Sequence, residues 1–234
     1  MKERKLIPFF LIFGVGWLVY LRLGDIDRIL HISKEDGLVE YATALFYFIG
    51  FIVGIYSIKA RKKYALPISV PIIWTFLCFF FLGEEVSWFQ RIFNYSVSSV
   101  EAVSKQGEFN LHNLMIFNEG AFISEGKVNK MTISEMLFSS QNLFRLGFFS
   151  YFLIIPVLCL NKKIKAILQK MGYIKPSWTA VGIVFIVFLF SFLLAVLSPV
   201  EFKPPIAESR EMLYALFILI YVILYIKPDK ELVV

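Results

Sequence analysis

Charge is scarce in this chain. Only 18% of its 234 residues are Asp, Glu, Lys or Arg, where a soluble domain carries about a quarter. Cysteine is nearly absent, with Cys78 and Cys159 alone. Each lies inside an apolar run, near opposite membrane faces in the arrangement argued below, so no disulfide between them is expected. Neither has a second cysteine nearby, which excludes a redox or zinc motif of the CxxC kind. Histidine is equally rare: His31 and His112 are the two. That excludes the His-rich signatures of membrane desaturases. The HExxH of metalloproteases and the GxSxG of serine hydrolases are also missing.

What fills the chain instead is hydrocarbon. Apolar residues make up 58%, Phe alone contributes 26, and the mean hydropathy is +0.71. Six uncharged runs stand out: Leu6 to Leu21, Tyr41 to Ile58, Tyr64 to Gly83, Leu146 to Leu160, Thr179 to Val200 and Met212 to Ile226. A soluble core needs no such series. The runs predict an all-α polytopic membrane helix bundle of about six transmembrane helices, residues 1–234 forming a single transmembrane domain. The basic start Met1-Lys-Glu-Arg-Lys5 resembles a signal peptide, but no small-x-small cleavage site follows, so the first run reads as a retained anchor.

Charge between the runs sets orientation. Residues 2–5, 59–63 and 162–175 carry +2, +4 and +5, and the tail from Lys227 carries zero. Residues 22–40, 84–145 and 201–211 carry −2, −2 and −1, so +11 faces −5 across the bilayer, in agreement with the chain's net +6. The basic side is expected to be cytoplasmic, with the N and C termini there, in a plasma membrane. This distribution also argues against nucleic acid as the partner of the basic residues. Pro67, Pro71 and Pro156 are expected to bend the third and fourth spans. Lysine and isoleucine richness hints at a prokaryote.

Several runs fall short of the roughly 20 residues a spanning helix needs. Extending them outward draws in Glu40 for the second, Glu208 and Glu211 for the sixth, and Glu84-Glu85 for the third. The long outer segment 84–142 adds Glu108 and His112, four residues apart and therefore on one face of a helix. Its first part, Glu84 to Phe93, reads as a continuation of the third helix, with Glu84, Ser87, Trp88 and Arg91 on one face. Imidazole and carboxylate suit a divalent metal ion, with Glu84, Glu108, His112 and Glu211 as its ligands. They equally suit general acid and base catalysis, with Glu84, Glu85, Glu108, His112 and Glu211 as the catalytic set. Arg91, Gln90, Trp88, Asn113, Glu40 and Glu208 would bind substrate, the arginine holding an anionic group.

Plainer readings stand beside these. Glu84 and Glu85 could be the solvated end of a helix. Glu208 and Glu211 could open the sixth helix and complement its dipole, and Glu40 could cap the second. His112 could bond a backbone carbonyl. Trp88, Phe89 and Phe93 fit an aromatic belt at the interface. His31, near Asp25, Asp27 and Asp36, reads as structural or solvated.

Gly83-Glu-Glu-Val-Ser-Trp-Phe-Gln-Arg-Ile-Phe93, followed by Gln106-Gly-Glu-Phe-Asn-Leu-His-Asn-Leu114, resembles a pattern in an uncharacterised group of multi-pass prokaryotic membrane proteins. Weaker echoes lie at Glu35 to Glu40 and Glu208 to Glu211. The resemblance covers roughly thirty residues of the outer segment. It implies a shared outer-face site and carries no substrate. Three expectations follow. The first is a membrane enzyme, hydrolase or group transferase, acting on a lipid or lipid-linked substrate at headgroup depth. The second is a transporter or channel with an outer carboxylate entrance. The third is a non-catalytic assembly or interaction protein.

Overall fold

The computed structural model describes residues 3–34, 37–93, 95 and 140–226. Most of these are helical, with no strand among the described residues. By internal contacts the chain divides into two compact units, Met1–Leu82 with Ile155–Val234, and Gly83–Ile154.

In the first unit, α1 (Glu3–Leu23) leads to the short α2 (Ile26–Ile32), whose N-cap Asp25 accepts from the Arg28 backbone N–H at 3.0 Å. His31 is exposed in the last turn of α2. The long α3 (Leu38–Lys63) carries Glu40 in its first turn and Arg61, Lys62 and Lys63 in its last. Then comes α4 (Ser69–Glu85), which passes into the second unit. That unit holds a one-turn α5 (Gln90–Phe93) and α6 (Ser140–Phe149). The first unit resumes with α7 (Ile155–Leu158), α8 (Lys162–Lys170), α9 (Trp178–Leu197) and α10 (Lys203–Tyr221). A wide π turn, Val222–Ile226, ends the last helix.

Among the described residues, four stretches are long and apolar enough to cross a membrane: Lys5–Leu23, Leu38–Lys63, Trp178–Leu197 and Val200–Ile226. They correspond to four of the six expected spans. The other two are shorter. Helix α4 has 17 residues, because the chain turns through Tyr64–Pro67 before it starts. Pro67 therefore precedes the helix and Pro71 sits in its first turn, where no intrahelical N–H bond is lost. Neither bends the third span, contrary to expectation. Around the fourth, an apolar helix runs Asn142–Leu158, and the π turn Ser150–Ile154 lies just before Pro156. Proline has no N–H for the carbonyl four residues back, so the local ladder widens there.

The last span is the hub of the first unit. Of its most apolar stretch 83% is buried, against 28%, 33% and 33% for the other three. It packs most extensively on α3, and also on α1 and α9. Aromatic rings do much of the filling: Phe188 stacks on Tyr214 at 4.3 Å, and Phe10 lies 5.1 Å from Phe217. Without a hydrophobic drive between spans in lipid, close approach through small residues matters more. Gly50 and Gly54 supply it between α3 and α4. A Cβ on Gly50 would lie 3.0 Å from the Cys78 Sγ, and one on Gly54 would run into the Thr75 hydroxyl.

One end of this unit is closed by polar contacts. Arg61, only 3% exposed, donates from Nε to the Ile226 carbonyl at 2.7 Å, from Nη1 to Pro67 O at 3.1 Å and from Nη2 to Tyr225 O at 3.4 Å. It thus satisfies carbonyls that the end of the last helix leaves open. Tyr225 OH donates to Glu3 Oε1 at 2.9 Å and accepts from the Ser177 backbone N–H at 3.3 Å. The beginnings of α1 and α9 and the ends of α3 and the last span therefore meet at this one end. Toward the other end, Trp17 Nε1 donates to Ser209 Oγ at 2.9 Å and Arg22 lies over the Phe202 ring.

Candidate functional site

Helix α4 ends in Glu84-Glu85, at the pole where carbonyl groups concentrate negative potential. A carboxylate there is electrostatically misplaced and normally turns to water. Glu84 does not: it is 6% exposed, while Glu85 is half-buried. The reading of Glu84 as a solvated helix end fails on that observation.

The carboxylate is held by an indole. Trp88 Nε1 donates to Glu84 Oε1 at 2.7 Å, a charge-assisted length. The contact is not made along a continuing helix. Instead the backbone leaves α4 and takes positive φ at three successive residues, Ser87 (48°), Trp88 (49°) and Phe89 (63°). Left-handed residues with a Cβ cost roughly 1–2 kcal/mol each, so this reversal is strained, and such strain clusters at functional sites. The expected extension of the third helix through Arg91 is thereby corrected: the helix stops at Glu85, and the four-residue α5 starts afresh at Gln90. The reversal folds the Trp88 ring over Gly83, where any Cβ would sit 2.9 Å from ring carbons. Glycine is the residue that admits the ring. Tyr95 OH then donates to the Trp88 carbonyl at 2.9 Å, tying down the far side of the turn. Trp88 is thus more than a belt residue.

Gln90 is half-buried on α5, and Arg91 follows it on the same turn of backbone. Glu108, His112 and Asn113 lie outside the described residues, so the helical Glu108–His112 pair does too. Among the described residues, no three His, Cys, Asp or Glu side chains gather as a metal-binding group.

The remaining acids belong to the first unit. Glu40 is half-buried in the first turn of α3, where the dipole alone accounts for a carboxylate. Glu208 is exposed and Glu211 half-buried, one turn apart on α10. That helix starts at Lys203 with prolines at its first positions and has no acid in its first turn. The dipole effect fades within one turn, so capping does not explain Glu208 or Glu211. Between them Arg210 is buried, its guanidinium 4.7 Å from the centre of the Phe192 ring.

Two contributors escaped sequence reasoning. Arg61 counted only as one charge in a basic loop, and nothing local marks it as a buried cap. Gly83 precedes Glu84 without a turn signal; its role depends on a ring five residues later. No protein-family model matches the chain, and no curated protein or solved structure matches it significantly.

Proposed function

We propose that this chain is a membrane-embedded enzyme, a hydrolase or group transferase, working on a lipid or lipid-linked substrate at the outer leaflet boundary. One observation carries the reading: a carboxylate, Glu84, is buried at the unfavourable end of an apolar helix and held there by Trp88 across a strained turn. A protein retains such a group against its electrostatic cost when the group is used. Glu84 serves as the acid or base, with Glu85, Glu108, His112 and Glu211 completing the set. Arg91 and Gln90 orient an anionic headgroup, and Glu40, Glu208 and Asn113 line the approach. A divalent metal ion on Glu84, Glu108, His112 and Glu211 is the metal-dependent form of this reading.

The topology that belongs to it has six spans. Helix α4 and Asn142–Leu158 are the two short ones, and both termini face the cytoplasm of a prokaryotic plasma membrane. The test is turnover. Purified protein in vesicles of phosphatidylglycerol and phosphatidylethanolamine is followed by lipid mass spectrometry. New lipid species are expected from the native chain, with the rate falling about 10²–10⁴-fold in Glu84→Gln. Unchanged lipids, or equal turnover by the variant, would sink the proposal. Elemental analysis decides the metal: a bound divalent ion lost in His112→Ala supports it, and none in the native protein removes it.

A second reading, an ion or proton pathway with an outer carboxylate entrance, is favoured by Arg210, a buried cation within the stretch Val200–Ile226. Proteoliposome uptake that is abolished by Glu84→Gln, without lipid turnover, would select it.

A further inference from the structure

Helix α8, Lys162–Lys170, is the least covered helix of the first unit. None of its residues is buried. Lys162, Lys163, Lys165 and Lys170 lie on one side, all exposed. On the other side Ile164 and Leu168 are half-buried, while Ile167 is 61% exposed and Met171, just past the end, 44%. At 3.6 residues per turn the two sets separate cleanly.

The helix is nevertheless well made. Asn161 caps its start, accepting from the backbone N–H groups of Lys163 at 2.9 Å and Ile164 at 3.4 Å. Its end closes through Gly172 at φ +88°, with Tyr173 N–H bonded to Leu168 O at 3.0 Å. The Val70 N–H donates to Met171 O at 3.1 Å, which fixes this end against the start of α4. Nearby in sequence, Lys175 lies 4.0 Å over the ring of the half-exposed Trp178, an aromatic suited to headgroup depth. A nine-residue helix with a partly exposed apolar side, a lysine side and two apolar neighbours in sequence has the design of an in-plane membrane helix.

We propose that α8 lies in the membrane surface and binds anionic phospholipid headgroups, its lysines on the phosphates and Ile167 and Met171 among the acyl chains. Charge complementarity selects this occupant. Four exposed ammonium groups beside an apolar strip that exposes Ile167 and Met171 would repel a second copy of the same helix and match a negatively charged leaflet. The inference is independent of the outer-face enzyme reading. It needs only a bilayer, and vesicles with identical leaflets remove any dependence on orientation.

The experiment places a fluorescent label on the full-length chain at Ile167→Cys, and separately at Gln169→Cys. The native Cys78 and Cys159 are buried and out of reach of the label. Each protein is reconstituted in phosphatidylcholine alone and in phosphatidylcholine with about one third phosphatidylglycerol, an anionic surface of the kind such helices read. Brominated acyl chains and aqueous iodide serve as quenchers. In the anionic vesicles the label at 167 should be quenched by bromine and the label at 169 by iodide. Changing lysines of α8 to Gln should weaken docking by about fivefold per residue, the factor equivalent to roughly 1 kcal/mol. Three results would each overturn the idea. One is iodide quenching of the 167 label in both vesicle types. Another is equal bromine quenching with and without phosphatidylglycerol. The third is protection from both quenchers, which would mean that protein covers the strip.

Discussion

At residue scale, the Glu84–Trp88 contact and the turn that makes it behave as one device. Trp88→Phe keeps the ring over Gly83 but removes the N–H from a buried carboxylate. A hydrogen bond to a charged group contributes about 1.5–3 kcal/mol, and a loss of that size is expected in chemical denaturation of the detergent-solubilised protein. Ser87→Gly acts in the opposite direction. Serine there holds φ 48°, which glycine adopts freely. The variant should relieve about 1–2 kcal/mol of left-handed strain. If the strain positions Glu84 for chemistry, lipid turnover falls in the same variant; stability and activity both rising would detach strain from function. The sequence carries part of this site openly. The four-residue spacing of Glu84 and Trp88 is visible, and so is the oddity of acids at the end of an apolar run. The reversal is not, because Val86-Ser-Trp-Phe89 contains no glycine, proline or asparagine to announce left-handed backbone.

Elements are where glycine and arginine become predictive. Gly54→Ala drives a methyl group into Thr75, so overpacking should cost about 1–3 kcal/mol and loosen α3 from α4. Gly182→Ala on α9 is the control. Nothing lies within 4 Å of its would-be Cβ, and helix propensity alone should stabilise it by up to about 1 kcal/mol. Opposite signs in a thermal-shift assay are the expected pattern; two losses would mean that the helix contacts differ from those described. Arg61→Met retains an apolar stem and removes every donor. The carbonyls of Tyr225, Ile226 and Pro67 then lose a buried partner, at roughly 2–5 kcal/mol together. Arg61→Lys should recover only part of this, since one ammonium cannot reproduce a planar fork. Uncharged apolar runs reveal the helices themselves, and each of the four long ones contains most of its run. Their ends are less legible. Lys203 to Glu211 is charged and proline-rich, yet it is helical, held by Ser209 on Trp17 of α1 and by Arg210 over the Phe192 ring of α9, tertiary contacts that outweigh its weak local signal.

At the scale of the whole molecule, the basic segments of the chain border the closed end of the first unit. Segments 2–5, 59–63 and 162–175 are the basic ones, and Glu3, Arg61, Ser177 and Ile226 all join the closed end described above, while Met171 bonds Val70 at the start of α4. Reporter fusions at the two termini should therefore give the same sidedness in intact cells, and a fusion within 201–206 the opposite. Different signals at the two termini would contradict the bundle itself, not only its orientation. Long-range facts of this kind are invisible to a window of neighbouring residues: Arg61 and Ile226 are 165 positions apart.

That separation has a temporal meaning. Synthesis delivers the guanidinium and the Pro67 carbonyl long before the carbonyls of Tyr225 and Ile226, so through most of translation two of its three acceptors are missing. The final span is consequently a latch as well as a strut: arrival of Tyr225 and Ile226 lets the arginine leave solvent, and a nascent chain stalled ahead of them would stand open at that end.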